Sequence, residues 1–258
     1  MDTPNELNQL DGVTFITGAG GGIGRETALL VAAAGSTVGV TDMDIGAAKN
    51  TVAAIRAAGG KAKAWALDVT DSSAVKTVFD SIEKDLGPVD YLVNAAGFYR
   101  AEEIEAITDE VWMRMFAVNM HGSFYTCRAV LPGMTARRRG AIVNMSSLHA
   151  VNGQARAAHY AACKSAVTGF TKSIAREKGA FNIRANAIAP GPIDTPLWRG
   201  SMTGDVLEET KRKRALSIPL GRLGTAQNVA SVITFLLSPA ADYVTGQVIS
   251  IGGGEVMA

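Results

Sequence analysis

The feature that most restricts the fold of this chain is a repeated alternation of short apolar runs with longer helical patterns. Val13–Thr17, Thr37–Thr41, Ala62–Val69, Tyr91–Asn94, Ala141–Met145, Ile183–Ile188 and Val248–Ile251 are brief and rich in strand-forming residues. None has the strict apolar/polar alternation of a strand with one wet face, so they read as strands covered on both sides. Helical patterns fill the intervals: the glycines after Thr17 through Ala34, Ile45–Ala58, Ser72–Leu86, and about 110–136, 159–178, 205–216 and 226–237. Strand followed by helix, repeated along the chain, calls for right-handed crossovers and predicts an α/β fold with a doubly wound sheet. Residues 1–10 read as a loose polar lead-in, and no Pro/Gly/Ser-rich linker divides residues 11–258.

Composition excludes several classes. Of 258 residues, 47% are hydrophobic, which is enough for a large core and rules out wholesale disorder. Lys and Arg number 25 against 24 Asp and Glu, so no basic surplus points to nucleic acid or an anionic membrane. The run Lys211-Arg212-Lys213-Arg214 accordingly reads as the solvated face of a helix, and Arg137-Arg138-Arg139 as a surface turn. Two cysteines, Cys127 and Cys163, are too few for a disulfide scaffold, and no Cys/His pair has zinc-ligand spacing, so no metal site is expected. The opening MDTPNELNQL lacks a basic and an apolar signal region, and no uncharged apolar run reaches the roughly 18 residues of a membrane span. The expectation is a cytoplasmic globular protein.

Between the first strand and helix lies Thr17-Gly18-Ala19-Gly20-Gly21-Gly22-Ile23-Gly24. Glycines there let the backbone turn sharply and approach a pyrophosphate at the helix N-terminus. The strict G-x-G-x-x-G spacing fails from Gly18; the pattern is instead Gly18-x-x-x-Gly22-x-Gly24. Asp42 follows at the end of the second strand. A carboxylate there can accept both adenosine ribose hydroxyls and would repel a 2′-phosphate. The competing assignment is a cap for the following helix, which Asp44 could serve equally well.

Four further segments complete an ordered set. Asn94-Ala95-Ala96-Gly97 follows the fourth strand, Asn119 lies in a helical stretch, Ser147 ends Val143-Asn144-Met145-Ser146-Ser147, and Tyr160-Ala161-Ala162-Cys163-Lys164 opens the next helix. With Pro190-Gly191-Pro192-Ile193-Asp194-Thr195 and Thr245-Gly246-Gln247, the chain resembles the short-chain dehydrogenase/reductase family over nearly its whole length from about Asp11. The resemblance implies a single Rossmann-type domain with a seven-stranded, mostly parallel sheet, assembled as a homotetramer. It implies reversible hydride transfer between an alcohol and a ketone through a nicotinamide cofactor, which Asp42 would make NAD.

By motif match, Asn119, Ser147, Tyr160 and Lys164 correspond to the family's catalytic residues. Gly18, Gly21, Gly22, Ile23, Gly24, Asp42 and Met43 would hold the adenosine and pyrophosphate, and Asp68 and Val69 the adenine. Asn94, Ala95, Ala96 and Gly97 would lie beside the ribose, with Ile193 and Thr195 at the carboxamide and Pro190 and Gly191 also among the cofactor contacts. One departure is Gly252-Gly253-Gly254, where many members have Asp-Gly-Gly; it bears on tail-mediated assembly. A mobile substrate lid is expected at about 196–216, carrying Trp198 and Met202. His149, His159 and Gln154 are pocket candidates, and Phe98–Arg100 should shape the pocket.

The chemistry explains the residue types. Tyr160 is the expected base, and its pKa of about 10 must fall by roughly 3 units for work near neutrality. Lys164 lies on the same helix face, and a unit charge at about 4 Å supplies about 4 kcal/mol at an effective dielectric near 20, before desolvation is subtracted. Ser147 would donate to the substrate oxygen, and Asn119 would hold a water on the proton path. Two other readings fit the motifs: a 3-oxoacyl thioester reductase of the same family, and a catalytically silent NAD-binding regulatory protein.

Overall fold

The computed structural model describes residues 9–257. Seven parallel strands form one sheet in the order β3-β2-β1-β4-β5-β6-β7. They are β1 (Val13–Thr17), β2 (Thr37–Asp42), β3 (Lys61–Ala66), β4 (Val89–Asn94), β5 (Gly140–Met145), β6 (Ile183–Pro190) and β7 (Val248–Ile251). The first three helices are α1 (Gly22–Ala33), α2 (Ile45–Ala57) and α3 (Ser72–Leu86). Then follow α4 (Asp109–Phe116), α5 (Gly122–Arg137), a short α6 (His149–Asn152), α7 (Ala158–Lys178), α8 (Pro196–Arg199), α9 (Gly204–Ala215) and α10 (Ala226–Leu237).

The absence of polar alternation has its cause in two apolar layers. Ile16, Tyr91, Val93 and Val143 face one cluster with Val31, Val52 and Ile233 of α1, α2 and α10. Their neighbours Phe15, Leu92 and Ile142 face the other, with Phe79, Val130 and Ile174 of α3, α5 and α7. Both faces of each central strand are dry, so both sets of alternating side chains must be apolar.

Three boundaries depart from expectation. β3 ends at Ala66, so Asp68 and Val69 lie in the loop beyond it. The stretch 110–136 is two helices joined by a π-helical turn, Ala117–His121, with Asn119 at its centre. The widened turn has no signature in apolar periodicity, because it shifts the helical phase by less than one residue per turn. Short α6, unforeseen, follows Ser147.

Strand order reverses direction between β1 and β4. Their carboxyl ends diverge there, and in open parallel sheets that crevice takes the ligand.

Candidate functional site

A cleft of about 720 Å³ opens at these strand ends. The glycine turn forms one side. Gly18 has φ of +64°, and a Cβ on it would sit 2.6 Å from the Ala96 Cα, so only glycine lets β1 and the loop after β4 meet here. A Cβ on Gly24 would lie against the Gly18 carbonyl oxygen, which holds α1 close under the turn. α1 starts without a side-chain cap and without an acidic residue in its first turn. By contrast, α2 and α3 are capped by the carboxylates of Asp44 and Asp71. The free N–H groups of α1 therefore stand open at the cleft.

Asp42 lines the same cleft. Its Oδ2 accepts from the Gly20 N–H at 2.9 Å and its Oδ1 from the Asp44 N–H at 3.0 Å. The helix cap belongs to Asp44, which accepts from Gly46 and Ala47. Gly20, which the sequence reading passed over, is thus the residue that aims the Asp42 carboxylate. Met43 is 70% exposed and does not line the cleft.

Tyr160 and Lys164 enter from the first turns of α7, and Ser147 comes from the loop after β5. Lys164 is 1% exposed; its Nζ donates to the Met145 carbonyl at 2.8 Å and lies 5.5 Å from the centre of the Tyr160 ring. Tyr99 stands edge-on to Tyr160 with ring centres 5.0 Å apart, and His149 does the same at 5.8 Å. The two rings flank the half-buried phenol and shield part of it from water, while it keeps its access to the cleft.

That shielding reverses the expected electrostatics. Burial pushes the Tyr160 hydroxyl well above the ordinary tyrosine value; a hydrogen bond with Ser147 pulls it down, by less than burial raises it. Burial also pushes Lys164 down to about 8. The lowering of Tyr160 expected from Lys164 is therefore absent: burial is the largest influence on the phenol, and the Ser147 hydrogen bond is what opposes it.

A stability prediction follows from Lys164. Below about pH 8 the lysine is protonated in both states and the full penalty of burying the charge applies. Between pH 8 and 10.5 the unfolded chain holds that proton and the folded chain does not, so stability rises with pH. Cys163 and Cys127, pushed up by burial to about 11 and 12, act oppositely above pH 9, and Tyr160 does so above pH 10. Comparison with Lys164→Met cancels Cys127 and Tyr160; Cys163 loses the pull of the lysine charge in the variant, which acts in the same direction above pH 9. The variant's stability relative to the parent should fall by about 3 kcal/mol between pH 8 and 10.5. Urea midpoints measured on the cofactor-free proteins check this; a constant difference would mean the lysine is not buried as a charge.

Two asparagines expected in the site sit behind it. Asn119 is 1% exposed and not on the cleft. Its amide donates to the carbonyls of Phe98 and Met115 at 2.8 and 3.0 Å and accepts from Phe98 N–H at 3.3 Å. The side chain therefore braces the loop that carries Tyr99. Asn94 donates to Asn144 at 2.9 Å and accepts from Thr126 at 2.7 Å, tying β4 to β5 and α5. Val69 packs against Gly122, and Asp68 accepts from Thr70; neither lines the cleft. His159 is wholly buried and is also not on the cleft.

The remaining predicted residues converge on it: Gly21, Gly22, Ile23, Ala95, Ala96, Gly97, Pro190, Gly191, Ile193, Thr195, His149, Gln154, Trp198 and Met202. Thr195 caps α8 by accepting from the Trp198 N–H at 3.3 Å, with Pro196 pre-set for the first turn. Of the expected segment Phe98–Arg100 only Tyr99 lines the cleft, and residues without any motif join it: Leu148, Thr210, Arg214, Glu255 and Val256. All four charges of the 211–214 run are paired with carboxylates: Asp194, Glu209 or Glu255. No helix of the described residues is long and apolar enough to cross a membrane.

Comparison with known proteins gives this cleft a context. A family model described as Enoyl-(Acyl carrier protein) reductase matches residues 18–255. The chain is 41% identical over 246 residues to the 3-oxoacyl-[acyl-carrier-protein] reductase FabG of Thermotoga maritima, covering 95% of this chain and 98% of that one. Among solved structures, a gluconate 5-dehydrogenase from Burkholderia cenocepacia in complex with NADP and tartrate superposes with a TM-score of 0.91. It is 31% identical, and the match covers 98% of each chain. A 7α-hydroxysteroid dehydrogenase complexed with NADH and 7-oxo glycochenodeoxycholic acid gives a TM-score of 0.93 at 33% identity, over 100% of this chain and 99% of that one. With its seven-stranded parallel sheet and these matches along almost its whole length, the chain belongs to the short-chain dehydrogenase/reductase family of oxidoreductases.

Proposed function

We propose that this protein interconverts a secondary alcohol and a ketone by NAD(H)-dependent hydride transfer, with Tyr160 as the general acid and base. The observation that carries the reading is the convergence of Tyr160, Ser147 and Lys164 on one cleft with an open glycine turn. The residues present fit a nicotinamide dinucleotide. Nothing lies within 4 Å of a Cβ built on Gly21, and the uncapped α1 offers its N–H groups to phosphates. Such a cofactor, when bound, supplies the hydride acceptor for oxidation and the donor for reduction.

The protein supplies position and the proton. Tyr160, a neutral phenol flanked by Tyr99 and His149, donates its proton to a ketone oxygen as the carbonyl is reduced, and takes the alcohol proton in the reverse direction. Ser147 holds the substrate oxygen through a hydrogen bond that strengthens as charge grows there. Lys164 places a cation 5.5 Å from the centre of the Tyr160 ring and would supply a donor to the cofactor ribose. Asn119 acts through its hold on the Phe98 backbone, and a water on the proton path would have to be held by its main chain.

Because burial raises the phenol, the alcohol-oxidising form is scarce near neutrality. Oxidation kcat/KM should therefore climb with pH, close to tenfold per unit at the steepest, and reduction should not. A flat oxidation profile between pH 6 and 9 would count against Tyr160 as the base.

Residues 11–258 would form the cofactor-binding domain, with 196–216 as the lid. Asp42 favours NAD, and no basic residue at Gly21 or Met43 offsets its charge. The T. maritima relative favours a second reading, a 3-oxoacyl thioester reductase using the same proton chemistry. Screening alcohols, ketones and thioesters with NAD(H) separates the two, and complete silence with cofactor binding intact would identify a regulatory NAD-binding protein. We place it in the cytoplasm as a homotetramer. Light scattering should give four subunits, and a stable active monomer would refute that assembly.

A further inference from the structure

We infer that the substrate end of the cleft is built for a neutral polyhydroxylated alcohol or ketone, held by Arg214 and Glu255. The inference deepens the hydride-transfer reading and rests on it. Arg214 closes α9, and Glu255 comes from the C-terminal tail beyond β7; neither belongs to a recognised motif. The Arg214 Nη2 lies 2.5 Å from the Glu255 Oε1. The Glu255 Oε2 stands 3.4 Å from the point a Gly191 Cβ would occupy, on the same cleft that Tyr160 enters. Arg214 keeps a second edge, whose Nη1 donates to the Ser217 hydroxyl at 3.3 Å.

Charge decides the ligand class. An unpaired arginine would select an anion, but here one cation and one anion touch. Burial and the Arg214 charge both push the His149 imidazole down, so it adds no positive charge near neutrality. The substrate end therefore offers adjacent donors and acceptors with no net charge. A hydroxyl is the group that both donates and accepts, and neighbouring hydroxyls can engage Arg214 and Glu255 together. Thr210, one turn before Arg214, and Gln154 add further polar positions on the cleft, while Trp198 offers an apolar surface for the carbon chain. An acyl chain laid over the ion pair would strip its water and return no hydrogen bond. A carboxylate would reach Arg214 only against the charge of Glu255.

The test compares xylitol and sorbitol with gluconate, cyclohexanol and a 3-hydroxybutyryl N-acetylcysteamine thioester, all with NAD. A polyol should exceed each of the others at least tenfold in kcat/KM. Glu255→Gln and Arg214→Met should each lower the polyol value about 10- to 100-fold, through KM, and at least ten times further than the cyclohexanol value. Glu255→Asp and Arg214→Lys should recover part of the loss, which a merely structural role would not predict. In parallel, calorimetry should detect polyol binding to Tyr160→Phe with NAD, and lose it when Glu255→Gln is added. Preference for gluconate or the thioester, equal losses on polyol and cyclohexanol, or no polyol binding would overturn the inference. Polyol binding without turnover of any substrate would keep the polyol site and remove the hydride chemistry.

Discussion

Tyr160→Phe should lower kcat by roughly 10²–10⁴ while leaving NAD affinity within a few fold. The substitution removes one oxygen and keeps the ring. The edge-on contacts with Tyr99 and His149, at 5.0 and 5.8 Å between ring centres, survive it. The buried hydroxyl is already held far toward its neutral form, so deleting it costs the fold little and the reaction its proton carrier. Ser147, in the proposed mechanism, would still polarise the substrate oxygen but has no proton relay, which is why residual turnover is expected rather than none. Steady-state kinetics in both directions, with cofactor binding measured by fluorescence, check this. Near-normal kcat would reassign Tyr160 to packing, and Ser147→Ala should then also be silent. Equal loss of kcat and cofactor affinity would point to a collapsed cleft instead.

The central part of the site was legible in the sequence because it depends on local backbone. Gly18 and Gly24 are needed wherever β1, α1 and the Ala96 loop meet, and Tyr160 and Lys164 share a helix face at any i,i+4 spacing. The sheet was legible for a related reason: strands dry on both faces have to be apolar at consecutive positions. Arg214 and Glu255 were not legible: they come from the end of α9 and from the tail, and no spacing joins them until the chain has folded. Asn94 and Asn119 show the opposite limit. Their motifs place them near the chemistry, yet both side chains satisfy buried partners one layer behind it. The sign of the Tyr160 shift was missed too, since a sequence gives the charge four residues away and says nothing of how far the phenol is buried.

Asp42 should make the protein prefer NAD over NADP by about 10²–10³ in kcat/KM. Its two oxygens are fixed by the N–H groups of Gly20 and Asp44 at 2.9 and 3.0 Å, so the carboxylate is oriented before any ribose arrives. Charge-assisted hydrogen bonds to the ribose hydroxyls would contribute about 1.5–3 kcal/mol. A 2′-phosphate would place nearly two negative charges beside the same carboxylate, and even a partly screened repulsion adds about 1–2 kcal/mol. Together these give roughly 3–5 kcal/mol, or 10²–10³ and somewhat beyond. Asp42→Asn separates the two contributions: the amide oxygen can still accept, while the charge is gone, so NADP should gain more than NAD loses. Asp42→Ala should weaken NAD as well, because it also releases the Gly20 N–H that shapes the turn. Adding Met43→Arg to Asp42→Ala should carry the preference to NADP, since Met43 is exposed at 70% and a guanidinium there would meet the phosphate from solvent. The measurement is kcat/KM for both cofactors at one fixed ionic strength. Equal values in the parent protein, or an unchanged ratio in Asp42→Asn, would leave the carboxylate with only its backbone contacts to Gly20 and Asp44.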